Sequence, residues 1–590
     1  MNSKIKQRIN NLREKMQAHD LQAVIIPTSD PHMSEYIPDY WKTREWISGF
    51  TGSAGTVVIT QTKAGLWTDS RYYLQASQQL ANTNIILYKD GLKETPTITQ
   101  FLKSNLPSKS NIGINSETTP IETYRIWKKE LINLSLNADS NLVQELWDDR
   151  PELPTSQAYI YDEKYAGKSS KSKIEEIRDK YITSSSKKIL ITALDEIAWI
   201  LNIRGQEIQN NPVVISYLIL SQKSCDLFID SKKISDELKK YLKDQSINTH
   251  EYKDIYPFLS QIHETEIQYD PKVTNVKLTQ SLQRSVVKKE TPSPIALLKA
   301  IRNKKEIENI KRAMIKDGIA LTKFLIWLET NINSSITEID ISNQLYKLRS
   351  QQDLFIGESF DTIAGYKEHG AIVHYKATQD TNATLKPKGL LLVDSGAQYL
   401  DGTTDITRTI ALGELSSEEK LDYTLVLKGH IALARAVFPE GTRGSQIDIL
   451  ARLPLWENRK NFLHGTGHGV GHFLCVHEGP QSIRMNENPI PLHLGMLTSN
   501  EPGVYIDNSH GVRIENLILV IPFGDGLYSN YYKFETITLC PICTKGIVKE
   551  ILTDQEIQWL NDYHKKVYDT LAKHLNNKEQ EWLKKATAKI

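Results

Sequence analysis

The chain has little net charge, few cysteines and no long apolar run, and each lack removes a class of function. Its 72 lysines and arginines are balanced by 71 acidic residues, leaving a net charge of +1, so no overall field draws it to nucleic acid or to an anionic membrane surface. The lysine-rich stretches 168–180 and 232–243 are interspersed with acids and read as solvated helix faces. No segment reaches the roughly 18 apolar residues of a membrane span. The opening MNSKIKQRINNLREK lacks the apolar centre of a signal peptide, and the final KKATAKI is no anchor signal. Four cysteines in 590 residues suit a reducing compartment, and a cytoplasmic location is expected. Two of them, Cys540 and Cys543, form a CPIC run. No second CxxC completes a zinc site and no thioredoxin-like context surrounds this one, so neither a metal nor a redox role is expected for it.

What is there is a long chain with internal recurrence. At 100 to 200 residues per domain the length implies three or four domains, and three fit the pattern. Ile5, Ile9, Leu12 and Met16 mark an amphipathic helix followed by a strand at 23–27. A similar helix, with Ile174 and Ile177, precedes a strand at 189–193. Two related α/β domains are therefore expected. Breaks fall at Asp148-Asp149-Arg150-Pro151 with Pro154, and at Thr291-Pro292-Ser293-Pro294. They divide the chain into residues 1–152, 153–294 and 295–590. The third part opens on a helix with Ile307, Ile310, Met314, Leu321 and Leu325 on one stripe. It ends in an extension, about 536–590, where Thr553 and Glu556 form a capping box before a stripe of Ile557, Leu560, Val567, Leu571 and Leu575. That stripe must pack on its own domain or on a second copy of the chain.

Chemistry concentrates in this third part, in Asp394, Asp405, His468, Glu501 and Glu515. Residues 388–412 read as strand, turn, strand: an apolar run at 390–393, turn chemistry at Leu400-Asp401-Gly402, and a Thr- and Ile-rich return. Asp394 and Asp405 are roughly equidistant from the turn and are expected to face each other. Glu501 and Glu515 repeat the device around a turn near Asp507 to Gly511. Asp394 follows four apolar residues and Glu515 precedes Leu517-Ile518-Leu519-Val520, so these acids lie where strands enter a core rather than on the surface where carboxylates usually sit. A buried carboxylate without a cation or hydrogen-bond partner is strongly penalised, and clustered carboxylates cannot all stay ionised without positive charge.

His464, His468, His472 and His477 are four of the chain's 15 histidines. The i, i+4 spacing of His464 and His468 would suit a zinc helix, but Gly465, Gly467, Gly469 and Gly471 alternate through the stretch and oppose a helix. An extended segment is expected, in which glycines permit close approach. Nothing pairs His472 with the acids, and it reads as structural or exposed.

With FTGSAGTVVIT from Phe50, LWTDSRYYLQA from Leu66, GAIVHY from Gly370, the aspartate hairpin, HGTGHGVG, VHEGP, EPGVY and GVRIEN in this order, the chain resembles the aminopeptidase P (Xaa-Pro aminopeptidase) family of three-domain, pita-bread, creatinase-like metallopeptidases. The resemblance implies an α/β (α+β) fold of two creatinase N-terminal-like α/β domains followed by a C-terminal pita-bread catalytic domain. It implies hydrolysis of the N-terminal Xaa-Pro bond by a water bridging two metal ions. Asp394 would bind one ion, Asp405 and Glu515 would bridge both, and His468 and Glu501 would complete the other. Glu501 would take the proton, while His374, His464, His477 and Arg513 match the family's catalytic and supporting residues, the three histidines also binding substrate. Carboxylate-rich coordination favours Mn²⁺, with Zn²⁺ or Co²⁺ as alternatives. Peptides with proline second are the implied partners, and the long members of the family imply a homodimer. Prolidase and methionine aminopeptidase share the metal site but fit the domain count less well. A catalytically inactive pita-bread binding protein should lack ligands, and here all five are present.

Overall fold

The computed structural model describes residues 2–590. The chain forms two compact units, Met1–Glu163 with Lys168–Ile295, and Lys164–Gly167 with Ala296–Ile590.

The first unit contains the expected recurrence. The helix Asn2–Ala18 buries Ile5, Ile9, Leu12 and Met16 and leads into the strand Ala23–Pro27. The helix Ser170–Tyr181 buries Ile174 and Ile177 and leads into the strand Lys187–Ile191. Each of these strands sits in a six-stranded sheet. In both sheets it pairs antiparallel with one neighbour, Thr56–Thr60 or Ser216–Ser221, and parallel with the other, Asn111–Gly113 or Glu266–Tyr269. The remaining strands follow the same order and sense, so one topology occurs twice.

The segment around Pro151 and Pro154 has no regular structure, yet the two sheets share one hydrophobic cluster. Ala23, Ile25, Trp67 and Ile112 of the first join Leu190, Tyr217, Phe228 and Tyr269 of the second. His32 ties them further, with Nδ1 2.9 Å from the Thr192 carbonyl and Nε2 2.9 Å from the Tyr252 hydroxyl. A continuous core across the break is why both halves behave as one compact unit.

The second unit wraps helices around short, bent sheets. The helix Lys304–Asn331 starts at an Asn303–Glu306 capping box and buries Ile310, Met314 and Leu321, with Ile307 and Leu325 half-buried. A six-stranded sheet runs in the order Val437–Pro439, Asn530–Thr536, Asn516–Asp525, Leu497–Asn500, Gly467–Gly469, Glu478–Ile483. The long helix of the C-terminal extension, Asp554–Leu571, called the terminal helix below although the shorter Asn577–Ala586 follows it, has the expected Thr553–Glu556 capping box. Its Leu560, Val567 and Leu571, with Leu575 just beyond, are buried with Tyr423, Leu425, Val426 and Ile542 of the same unit, while Ile557 is half-buried. That stripe is consumed within its own unit and by itself requires no second chain.

Of the glycine-rich segment, Gly467–Gly469 forms a strand, and no part of it is helical. A Cβ at Gly467 would lie 2.0 Å from the Ser499 carbonyl oxygen, and one at Gly469 would lie 2.4 Å from that of Glu478. Gly467→Ala should therefore cost on the order of 1–3 kcal/mol and lower the thermal unfolding midpoint measured by calorimetry. Gly357→Ala, where no atom lies within 4 Å of the added carbon, should leave the midpoint within about a degree of wild type.

Candidate metal centre

Asp394 lies on the fully buried strand Leu390–Ser395, which runs between Ile363–Tyr366 and Ile406–Ala411. Its cross-strand partner is Thr407, and the outer part of the same hairpin keeps that register with Gln398 opposite Thr403. Asp405 therefore falls opposite Gly396, diagonal to Asp394 rather than facing it. The pair of aspartates expected in direct opposition is offset by two residues. The reason is the place of the turn: Tyr399 pairs with Gly402, which centres the hairpin nearer to Asp405 than to Asp394. The hairpin also bends at its middle, where a Cβ at Gly396 would meet the Thr404 carbonyl oxygen at 2.1 Å and the Ala397 N–H bonds the Thr404 hydroxyl at 2.9 Å. The bend hands the outer half to a separate three-stranded sheet.

The glutamates follow the simpler expectation. Asn500 pairs with Asn516, and Gly503 with Arg513, so the shared register sets Glu501 opposite Glu515 in the gap between two ladders. Glu501 N–H donates to the Thr466 carbonyl at 2.8 Å, which ties it to the histidine segment. Glu515 N–H donates to the Thr407 carbonyl at 3.1 Å, and the Thr407 hydroxyl donates to Glu515 Oε2 at 2.8 Å. Thr407, the residue opposite Asp394, thus fastens one acid-bearing hairpin to the other.

His468 completes the cluster. Its Nδ1 lies 2.8 Å from the Gly469 carbonyl and so carries the proton, which leaves the Nε2 lone pair facing Asp405 and Glu501 at 3.5 Å each. One ligand atom from each of Asp405, His468 and Glu515 lies within 4.8 Å of the others. Burial, reinforced by Asp394 and Glu501, pushes the Asp405 carboxyl well above the usual range. Burial and the other three acids do the same to Glu515. Glu501 is pushed up to about 7, chiefly by burial and against the pull of Arg513. Asp394 Oδ1 and Glu515 Oε1 are buried and make no hydrogen bond. Crowded carboxylates with two orphaned oxygens and an imidazole lone pair are a donor set that divalent cations fit, since positive charge would relieve both the repulsion and the missing bonds.

The remaining predicted residues surround this set. Arg513 Nη2 donates to Asp394 Oδ2 at 2.6 Å and Nη1 to the Tyr505 hydroxyl at 2.7 Å. That hydroxyl lies 2.8 Å from His464 Nε2, while His464 Nδ1 is 2.8 Å from the Gly465 carbonyl. A relay Asp394–Arg513–Tyr505–His464 results. Burial pushes the Tyr505 phenol up to about 12, so it stays neutral and can donate to His464 while accepting from Arg513. His477 meets the His468 ring edge-on, with centroids 4.5 Å apart. His374 sits half-buried in the turn after Lys367–Ala371, beside the Val373 carbonyl that Arg513 Nη2 reaches at 3.4 Å.

Tyr505 was absent from the residues expected to matter; its place four residues after Glu501 in EPGVY was the available signal. His472 is buried with Nε2 3.2 Å from the Tyr165 carbonyl, a structural position. Cys540 and Cys543 are free thiols, and what the CPIC run contributes is backbone: the Cys540 and Pro541 carbonyls accept from Arg408. Phe360, Ile363, Tyr375, Leu392 and Val476 form an apolar cluster whose members adjoin Asp394, His374 and His477 in sequence or register.

The profile of metallopeptidase family M24 matches residues 308–522 and that of its C-terminal region residues 530–590. The creatinase/prolidase N-terminal domain matches twice, at 8–146 and 149–306. Aminopeptidase P1 of Arabidopsis thaliana is 37% identical over 99% of both chains, and Xaa-Pro aminopeptidase 1 of Dictyostelium discoideum is 41% identical over 98% of this chain and 96% of its own. The crystal structure of an X-prolyl aminopeptidase from Caenorhabditis elegans, described as a cytosolic enzyme with a di-nuclear active site, superposes with a TM-score of 0.95 at 33% identity, covering 99% of this chain and 100% of that one. Two creatinase-type α/β domains followed by a pita-bread metallopeptidase domain, alike in sequence and in shape to these enzymes over the whole length, place this chain in the aminopeptidase P group of metallopeptidase family M24.

Proposed function

We propose that the protein is a metal-dependent aminopeptidase that removes the first residue from peptides with proline in second position. The convergence of four carboxylates and one imidazole, two buried oxygens among them lacking hydrogen bonds, carries this reading. Asp394, Asp405, His468, Glu501 and Glu515 would hold two divalent ions. The oxygen-rich donor set favours Mn²⁺. When bound, the ions supply Lewis acidity and lower the pKa of water toward about 7.

The chain's own groups then have distinct tasks. Glu501 is the carboxylate assigned to accept the proton of the attacking water. Arg513 holds Asp394 in place through one Nη and Tyr505 through the other. His374 and His477 are assigned to steady the oxyanion or pass a proton to the leaving nitrogen. An Xaa-Pro amide has no N–H to recognise, so selection depends on shape, and the Phe360–Val476 cluster offers an apolar wall to a pyrrolidine ring. The Caenorhabditis elegans enzyme is described as cytosolic, and we adopt a cytoplasmic location; we also expect a homodimer of 67.2 kDa chains, and we divide the chain at 1–152, 153–294 and 295–590. Among the described residues no helix is long and apolar enough to cross a membrane.

An Xaa-Pro-containing tripeptide should be cleaved faster than an Xaa-Pro dipeptide and far faster than Met-Ala peptides, by mass spectrometry with and without Mn²⁺; preference for the dipeptide would favour a prolidase. Glu501→Gln and Asp405→Asn should each lower turnover by at least about 10²-fold with circular dichroism unchanged, and near-normal turnover in either would refute the assignment. His477→Ala should lose rate while elemental analysis still finds both ions.

Metal linkage provides a separate check. In metal-free protein the Glu501 carboxyl, pushed up to about 7, binds a proton that the unfolded chain has lost above about 4.5, so it stabilises the fold at low pH and loses that contribution as pH rises through about 7; the raised Asp405 and Glu515 carboxyls act in the same direction. Bound cations replace those protons. The increase in unfolding midpoint on adding Mn²⁺ should therefore be larger at pH 7.5 than at pH 5.5; an equal increase would contradict the site.

A further inference from the structure

The C-terminal extension packs its apolar stripe inward, but one polar side chain on its helix goes further. Tyr563 is 5% exposed, and its hydroxyl lies 2.9 Å from Arg408 Nη2. Arg408 is a cation 4% exposed whose acceptors are carbonyl, amide and hydroxyl oxygens. Nη1 donates to the carbonyls of Thr407 at 2.9 Å and Glu515 at 2.6 Å. Nη2 donates to Asn516 Oδ1 at 2.8 Å and the Cys540 carbonyl at 2.8 Å, and Nε to the Pro541 carbonyl at 3.0 Å.

One guanidinium thus grips the backbone on both sides of the junction between the acid-bearing hairpins, at Thr407 and at Glu515. The Tyr563 hydroxyl also bonds the Cys540 carbonyl at 2.9 Å, so the helix, the CPIC segment and the junction are locked together. From the far side, His430 completes the frame. Its Nδ1 is 3.1 Å from the Asn500 carbonyl and its Nε2 3.1 Å from Asn516 Nδ2, and Asn500 Nδ2 returns to the His430 carbonyl at 2.9 Å. Asn500 and Asn516 are the cross-strand pair adjoining Glu501 and Glu515.

We propose that the C-terminal extension is a positioning element of the metal centre: Tyr563, acting through Arg408 and Asn516, fixes the backbone that aims Glu515 and the neighbouring Glu501. A buried cation satisfied by neutral oxygens is orientation-sensitive, because the five N–H donors of a guanidinium lie in one plane and a lost acceptor lets that plane rotate. Tyr563 supplies the only acceptor to Arg408 that comes from the terminal helix. Outer partners of this kind affect metal affinity more than fold. The inference rests on the metal ligands proposed above.

The test uses full-length protein stripped of metal and titrated calorimetrically with MnCl₂. Tyr563→Phe, which removes only the hydroxyl, should weaken Mn²⁺ binding about tenfold, with kcat largely restored at saturating Mn²⁺. Leu571→Ala serves as the control, since it sits on the same helix in the apolar cluster; it should lower the unfolding midpoint at least as much yet change Mn²⁺ affinity less than about twofold. Wild-type affinity in Tyr563→Phe, or an equal loss in Leu571→Ala, would overturn the proposal. Failure of the wild-type protein to take up Mn²⁺ would instead overturn the metal-centre reading beneath it.

Discussion

Four carboxylates held together out of water form the constraint on which the second unit is built. Burial raises the proton affinity of Asp405, Glu501 and Glu515, and neighbouring acids raise it further. Such a group is tolerated only if positive charge is available, and within the chain that charge is Arg513, itself buried and pinned to Asp394 at 2.6 Å. One guanidinium cannot balance four acids, and it touches only one of them directly. The fold therefore holds the site in a geometry that is costly alone and becomes favourable when cations enter, which is how metallohydrolase sites couple folding to ion binding.

Rigidity comes from the backbone around the acids. Thr407 bonds Glu515 twice, through its carbonyl and its hydroxyl; Glu501 is tied to Thr466; and glycines at 396 and 467 let strands approach to distances that any side chain would forbid. Second-layer groups then hold these strands. Arg408 and His430 are both buried and both lack an acidic partner among their hydrogen bonds. His430 is pushed down to about 3 by burial and by the nearby Arg408 charge, so it stays neutral and keeps one donor and one acceptor in fixed roles.

Much of this was readable in the chain. The stripe Ile5–Met16, the strand at 23–27, the extended glycine segment and the Thr553–Glu556 cap follow from local periodicity and local hydrogen bonding, which need no knowledge of distant residues. The five clustered side chains were legible because acids adjoining apolar strand residues are chemically anomalous. The offset of Asp405 from Asp394 was not, because it depends on which residues close the turn, with Tyr399 paired to Gly402, and a shift of one residue there changes every pair along the hairpin. Tyr505 and Arg408 were hidden for a similar reason: a tyrosine and an arginine are ordinary in sequence, and their roles arise only from what lies next to them after folding.

The sequence by itself determined the element types, the doubled α/β pattern and the set of candidate metal-binding side chains, since each is written in composition, period and order along the chain. Only the tertiary structure decided that the two N-terminal halves share one core, that the terminal helix spends its apolar face within its own unit, and that Thr407 and Arg408 join the two acid-bearing hairpins. Those outcomes rest on packing and hydrogen bonds between distant segments, 155 positions apart from Arg408 to Tyr563 and 220 from His32 to Tyr252, and no local pattern encodes which distant surface a given face will meet.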